Sequence, residues 1–175
     1  MPFKGIIMSI LISPMIVPLI ITAAGMFFFY ARYNLVYTFT GVILAHVALS
    51  TPFVVITVTA TLVGFDMNMV RAAHSLGAKP IKTFFKVIMP LILPGVISGA
   101  LFAFITSFDE VVIVMFMASL DQLTIPKQMW AGIRQEISPV ILCMATCLVI
   151  LSILLLSTVE ILRRRSEKLR GIKPH

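Results

Sequence analysis

Two adjacent acids, Asp109 and Glu110, are the residues of this 175-residue chain whose chemistry is easiest to name. They follow 22 uncharged residues and precede ten more. If those runs lie in a membrane, each carboxylate costs about 2.5–3.5 kcal/mol, so such groups usually face a wet cavity or a partner. One interpretation is a cation-attracting site, in which Phe108 packs beside an ammonium group. The other is a helix cap at the outer interface, with both acids in water.

The remaining reactive side chains are scattered. His46 lies inside an apolar run, where a hydrogen-bonded packing role is favoured over proton relay. Cys143 and Cys147 are four residues apart and would share one helix face, reduced and packed as small apolar residues. A membrane-bound enzyme would need such groups clustered at one depth, which this spacing does not provide. The sequence therefore predicts no catalytic residue, metal site or cofactor.

Composition indicates that lipid is the solvent for most of the chain. Hydrophobic residues make up 59% of it and charged residues only 12%, whereas a soluble domain averages about 25% charged residues. The net charge of +7 would favour a nucleic-acid partner in a soluble protein. Here the basic residues gather in a few loops, so the membrane explains the charge and no nucleic acid is expected.

Four apolar runs predict four membrane spans, at residues 6–30, 37–64, 87–105 or beyond, and 137–162. About 20 residues cross the hydrocarbon core as a helix, and spans of this length cannot close a barrel. The first run is longer than the apolar region of a signal peptide and is interpreted as a retained span. The predicted fold is an all-α, polytopic transmembrane helical bundle.

The placement of Lys and Arg predicts the orientation. With the segment 66–86 inside, eleven of the fourteen basic residues lie on the inner side and three outside. Cytoplasmic loops carry this excess, so both termini are expected in the cytoplasm. Residues 1–162 would form the membrane domain, and residues 163–175 a basic cytoplasmic tail.

Proline and glycine residues occur within the predicted spans. Pro14 and Pro18 interrupt the first run, and Gly95 and Gly99 form a small-xxx-small pair that favours close helix contact. A continuous helix over residues 87–120 would be about 50 Å long, too long for a core of about 30 Å, so it is expected to bend or end near the acidic pair. Beyond the pair, residues 125–133 predict a short amphipathic helix with Trp130 as an interfacial anchor.

The polar segment between the second and third runs, residues 66–86, has internal order; it is called the basic loop below. Asp66 or Asn68 can cap a first helix, Gly77 can end it in a left-handed turn, and Pro80 can begin a second helix. The first helix would carry an apolar face at helical spacing, formed by Met69, Ala72, Ala73 and Leu76. The basic loop is therefore predicted to be a helix–turn–helix.

The pattern Ala72-Ala73, Gly77 and Val87-Ile88-Met89-Pro90 resembles the EAA loop of ABC importer permeases. That family has Glu-Ala-Ala, three residues, Gly, nine residues and Ile-x-Leu-Pro, and the spacing agrees at every step. Arg71 stands where the family usually has Glu, which is a charge reversal. The resemblance implies a type I importer permease fold whose cytoplasmic coupling loop docks on ATPase subunits. The coupling role would fall on Arg71, Ala72, Ala73, Gly77 and Pro90.

Three short segments resemble the spermidine/putrescine subgroup of these permeases: Phe108-Asp109-Glu110, Thr124-Ile125-Pro126 and Ile137-Ser138-Pro139. The resemblance implies polyamine import across a bacterial inner membrane, with Phe108, Asp109 and Glu110 along the substrate pathway. It also implies cytoplasmic ATP-binding subunits, a second permease subunit that is identical or related, and a soluble solute-binding protein as partners within the lipid bilayer.

Two alternatives stay open at this point. The chain can be a permease for another small solute, such as a metal ion, an anion or an amino acid. It can instead be a non-ABC channel or an assembly subunit, although neither would need the patterned basic loop. Four spans are fewer than this family usually has, so either the first spans are missing or the core is reduced.

Overall fold

The structure is a computed structural model that describes residues 3–135 and 138–169, and within them all regular structure is helical. These described residues form nine α-helices: α1 Lys4–Ile16, α2 Leu19–Ala31, α3 Phe39–Val63, α4 Met67–Ser75, α5 Pro80–Thr83, α6 Met89–Phe108, α7 Val112–Met117, α8 Ile125–Gln135 and α9 Pro139–Leu169. A π-helical segment, Phe84–Ile88, joins α5 to α6. A 3-10 turn, Leu120–Gln122, lies between α7 and α8.

Three helices of the described chain are long and apolar enough to cross a membrane: Phe39–Val63, Pro80–Phe108 and Pro139–Thr158. The predicted first span is different, because it consists of α1 and α2 meeting at 111°. The break lies at Val17, whose backbone is extended with ψ 136°, immediately before Pro18. A residue before proline is pushed out of the α region, which explains the bend. Pro14, in contrast, stays inside α1.

The antiparallel pair of α3 and α6 is the centre of the bundle. Gly95 and Gly99 of α6 are buried, and their Cα atoms face Thr61, Thr57 and Val54 of α3. Further along, the Ser50 hydroxyl donates to the carbonyl of Ala103 at 3.2 Å. The small residues allow the two backbones to approach closely, as the small-xxx-small pattern predicted.

A second core lies at the end of the bundle where α3 begins and α6 ends, which is called the far end below. There α7 packs between α2 and α3. The buried apolar side chains of this core are Ala23, Ala45, Leu49, Ile113 and Met117. The helix break after α6 therefore has a packing role, because it returns a short apolar helix into the bundle.

The helix α9 lies against α6 and α8 and is otherwise uncovered. It begins at Pro139, a position that helices tolerate, and continues to Leu169, beyond the predicted end at residue 162. Ile137, the predicted start of this span, lies outside the described residues. Cys143 and Cys147 of α9 are free thiols, in agreement with the predicted reduced state, but both are exposed and do not have the predicted packing within the described chain.

Candidate functional site

The first helix of the basic loop, α4, is capped at both ends by the residues that flank it. The Asp66 carboxylate accepts from the N–H of Asn68 at 2.9 Å, which confirms Asp66 as the N-cap. At the other end the N–H of Gly77 donates to His74 O at 2.9 Å and the N–H of Ala78 to Ala73 O at 3.0 Å. This bond pair is a Schellman motif, and Gly77 supplies the left-handed residue that it requires, with φ +77°.

The apolar face of α4 is largely uncovered. Leu76 keeps 88% of its surface exposed and Met69 47%, and Ala72 is exposed while Ala73 is half-buried. Arg71 is exposed on the opposite face, with its Nη1 atom 3.5 Å from Asn68 Oδ1. A short, well-capped helix thus presents an apolar strip with nothing from the described chain folded over it.

The second half of the basic loop runs straight into the bundle. Helix α5 begins at Pro80 as predicted, and the helical path continues through the predicted third span to Phe108. The π-helical segment lies immediately before Pro90, where the Met89 N–H donates to Phe84 O. A proline within a helix clashes with the carbonyl four residues earlier, and the wider π turn relieves that contact.

At the far end, α6 stops at Phe108 and Asp109 follows as its C-terminal residue. Phe108, Asp109 and Trp130 line a cavity of about 510 Å³ between α6, α8 and α9. The ring of Phe104 stacks on that of Phe108 with 5.5 Å between centroids. Asp109 is exposed, so this cavity combines one carboxylate with a mostly aliphatic lining that includes the rings of Phe104, Phe108 and Trp130.

A second cavity, of about 560 Å³, is also lined by Phe104 and Phe108. Its remaining wall includes His46 and Ser107, which are hydrogen-bonded at 2.8 Å between Nδ1 and Oγ. This bond confirms His46 as a hydrogen-bonded residue of the α3–α6 contact. Its Nε2 atom is buried and has no hydrogen-bond partner among the described residues.

Glu110 has a different environment from Asp109. Its side chain is 6% exposed, and Oε1 accepts from the N–H of Ile113 at 2.7 Å. Glu110 therefore caps the N-terminus of α7, where a negative charge is stabilised by the helix dipole. Asp109 lines the first cavity, whereas Glu110 agrees with the predicted helix cap but is buried, so the expectation that both acids stand in water does not hold for Glu110.

Lys127 satisfies the other end of α7. Its Nζ atom donates to Ala118 O at 3.1 Å and to Val114 O at 3.3 Å. The neighbouring carbonyl, Met117 O, accepts from the N–H of Tyr37 at 2.9 Å. Burial lowers the pKa of the Lys127 ammonium below its ordinary value. Sequence reasoning missed this contact because main-chain carbonyls carry no residue signature.

The predicted amphipathic helix near residues 125–133 is confirmed as α8, Ile125–Gln135. Trp130 is 47% exposed, and the guanidinium of Arg134 lies 5.7 Å from the centre of its ring. A cation over an indole face is attracted by the ring quadrupole. Trp130 of α8 is therefore partly exposed and also lines the cavity that Asp109 lines.

The membrane-length helices and the capped helix–turn–helix indicate a multi-pass membrane protein. The chain belongs to the family of binding-protein-dependent transport system inner membrane components, whose sequence profile matches residues 2–168. It is 29% identical over 164 residues to the spermidine/putrescine transport system permease protein PotC of Haemophilus influenzae, covering 94% of this chain and 64% of that protein.

Two further relatives have related names. PotC of Escherichia coli K12 is 28% identical over 165 residues, covering 94% of this chain and 62% of that protein. The putrescine transport system permease protein PotI of the same strain is 37% identical over 103 residues, covering 59% of this chain and 37% of that protein. The chain thus spans a little under two thirds of the length of the PotC relatives that it matches.

Proposed function

We propose that this chain is the transmembrane permease subunit of an ATP-driven importer for polyamines, coupled to a separate ATPase through the basic loop. The observation that carries the proposal is the geometry of that loop. A capped helix with an uncovered apolar strip, α4, is followed by a helical path that runs from Pro80 to Phe108. Force applied at α4 would reach the far end through one helix.

The docking surface would be the strip on α4 with the residues that follow it. Leu76 and Ile81 are 88% and 75% exposed, and Gly77 fixes the turn between them. Arg71, Ala72 and Ala73 lie on the same short helix, and Pro90 lies just beyond the π-helical segment. A rigid element of this kind can carry a domain-scale closing motion into packed helices.

The partners follow from the family. We infer cytoplasmic ATP-binding subunits, a second permease subunit that is identical or related, and a soluble solute-binding protein that delivers substrate at the far end. Residues 1–162 form the permease domain in this proposal, and residues 163–175 a basic tail. The loop and both termini would face the cytoplasm across a bacterial inner membrane, because they hold most of the basic residues.

The inferred substrate class rests on the names of the relatives and on the cavity lined by Asp109. A carboxylate beside Phe108 and Trp130 suits a flexible organic cation, whose ammonium groups are attracted by the charge and by the ring faces. Alternating access between packed bundles would move this cation without covalent chemistry. Asp109 and Phe108 keep their proposed pathway role, and Glu110 is proposed to support that pathway by holding α7.

Crosslinking tests the coupling proposal directly. A cysteine placed at Leu76, in a chain whose Cys143 and Cys147 are changed to serine, should crosslink to the ATPase subunit in an assembled and active complex. A cysteine placed at Val63, which is 83% exposed on α3 just before the loop, serves as the matched control and should crosslink weakly. Crosslinks from residue 76 that never reach a nucleotide-hydrolysing subunit would end the proposal.

Asp109→Asn is expected to raise the half-saturation concentration for polyamine uptake about fivefold, since an exposed ion pair contributes up to about 1 kcal/mol. Glu110→Gln should leave this concentration unchanged and lower the melting temperature, because the cap of α7 loses its charge. Uptake by the reconstituted complex and thermal unfolding of the purified chain measure the two effects.

Asp121→Asn is the control for removal of an exposed carboxylate, because Asp121 lies in the 3-10 turn away from the cavity lined by Asp109. Asp121→Asn should change neither the half-saturation concentration for polyamine uptake nor the melting temperature. Equal uptake by Asp109→Asn and the parent chain would leave Asp109 as a helix-terminal residue with no role in substrate attraction.

A further inference from the structure

The far end of the bundle already holds one alkylammonium group. The Nζ atom of Lys127 lies 3.1 Å from Ala118 O and 3.3 Å from Val114 O. These two oxygens are called the carbonyl cradle below: Val114 lies in the last turn of α7, where its oxygen also accepts the Ala118 N–H, and Ala118 is the C-cap of that helix. The C-terminus of a helix carries partial negative charge, so such oxygens favour a cation.

The cradle contacts the Lys127 ammonium group through main-chain oxygens. A primary ammonium offers three N–H donors, and two of those of Lys127 are used here. Lys127 is half-buried, and it reaches from the surface of the far end to oxygens of two buried residues. The Lys127 side chain, which occupies the cradle, is four methylenes ending in –NH₃⁺. A linear four-carbon diamine ends in the same ammonium group.

We propose that the carbonyl cradle is a binding site for a primary alkylammonium group, and that Lys127 occupies it as a tethered competitor. An incoming amine of the same reach would take the place of the lysine ammonium and release Lys127 toward solvent. That this amine is a transported polyamine rests on the proposed function, whereas the binding site itself does not.

Chemical rescue tests the site without any transport measurement. Lys127→Ala removes the tethered ammonium and should lower the melting temperature of the purified full chain on the order of 5 °C, because a charge-assisted hydrogen bond is lost. Millimolar n-butylammonium should restore at least half of this loss. The same concentration of 1-butanol, or of n-butyltrimethylammonium, which has no N–H donor, should restore nothing.

Lys127→Met is the matched variant, since its side chain fills the same space without an ammonium group. It should lose stability as Lys127→Ala does, and n-butylammonium should not rescue it. Equal rescue of both variants, or rescue of neither, would overturn the proposal. Failure of polyamine uptake alongside a positive rescue would instead count against the proposed function and leave the site intact.

The wild-type chain supplies a measurement that does not depend on the folding of a variant. Acylation followed by mass spectrometry, measured against pH so that each rate is corrected for the fraction of free amine, should show Lys127 reacting more slowly than the exposed Lys79, Lys82 and Lys86, because its nitrogen is held against two carbonyls. Acylation of Lys127 at the rate of those three lysines would show that the cradle does not hold an ammonium and would overturn the proposal on its own.

Discussion

Replacing Gly77 by valine is expected to abolish ATP-driven uptake while leaving membrane insertion intact. Gly77 has φ +77° in the turn that ends α4, and a side chain with a Cβ pays about 1–2 kcal/mol in that region, more when it is β-branched. The turn would open and the Schellman motif would be lost, so α4 would no longer keep a fixed direction relative to α5. Uptake and substrate-stimulated ATP hydrolysis of the reconstituted complex measure the effect.

Two variants distinguish the effect of backbone strain on uptake from the effect of side-chain volume. Asparagine tolerates the left-handed region, so Gly77→Asn should retain much of the uptake. Gly64→Val adds the same volume at another loop glycine, whose φ is −85° and whose Cβ would meet nothing within 4 Å. It should leave coupling largely unchanged. Normal uptake by Gly77→Val would remove the role of α4 as a coupling element.

Gly99→Val should produce a large loss of stability at the contact between α3 and α6. A Cβ at Gly99 would lie 3.0 Å from the Cα of Val54, which is backbone and cannot rotate away. Helices α3 and α6 would have to separate along their whole contact. Overpacking of this kind costs about 1–3 kcal/mol, which lowers the melting temperature on the order of 5 °C for a chain of this size.

The control is Gly25→Val in α2, where a Cβ would meet nothing within 4 Å. Both glycines lie in apolar helices, so the two substitutions change helix propensity alike and differ in contact. Thermal unfolding of the purified chain in one detergent compares them. A melting temperature for Gly99→Val equal to that of Gly25→Val would mean that the α3–α6 backbones do not depend on this close approach.

The parts of the molecule that were predictable from the sequence are those set by local chemistry. Asp66, Gly77 and Pro80 act through bonds or dihedral angles within a few residues, and each has the predicted position in α4, α5 or their turn. Gly95 and Gly99 also behaved as expected, because small residues four apart leave a groove on any helix. The bounds of α3 followed closely from hydropathy and length, whereas the predicted first span is two helices and α9 extends beyond residue 162.

The parts that escaped prediction depend on tertiary contacts. The packing partners of α1 and α2 determine the 111° angle between the two helices. The proline determines only that the helix breaks at this position. The separation of Asp109 from Glu110 depends on α7 turning back into the bundle, which directs one carboxylate inward to Ile113. Lys127 reaches carbonyls nine and thirteen residues away along the chain, and no side-chain pattern marks those oxygens.

The π-helical segment Phe84–Ile88 has a consequence for angular phase. A π turn holds one residue more than an α turn, and one residue corresponds to about 100° of rotation about the helix axis. The segment therefore sets the azimuth of α4 and α5 relative to the glycine face of α6. Relaxation to regular α geometry would rotate α4 and α5 by about 100° relative to the glycine face of α6.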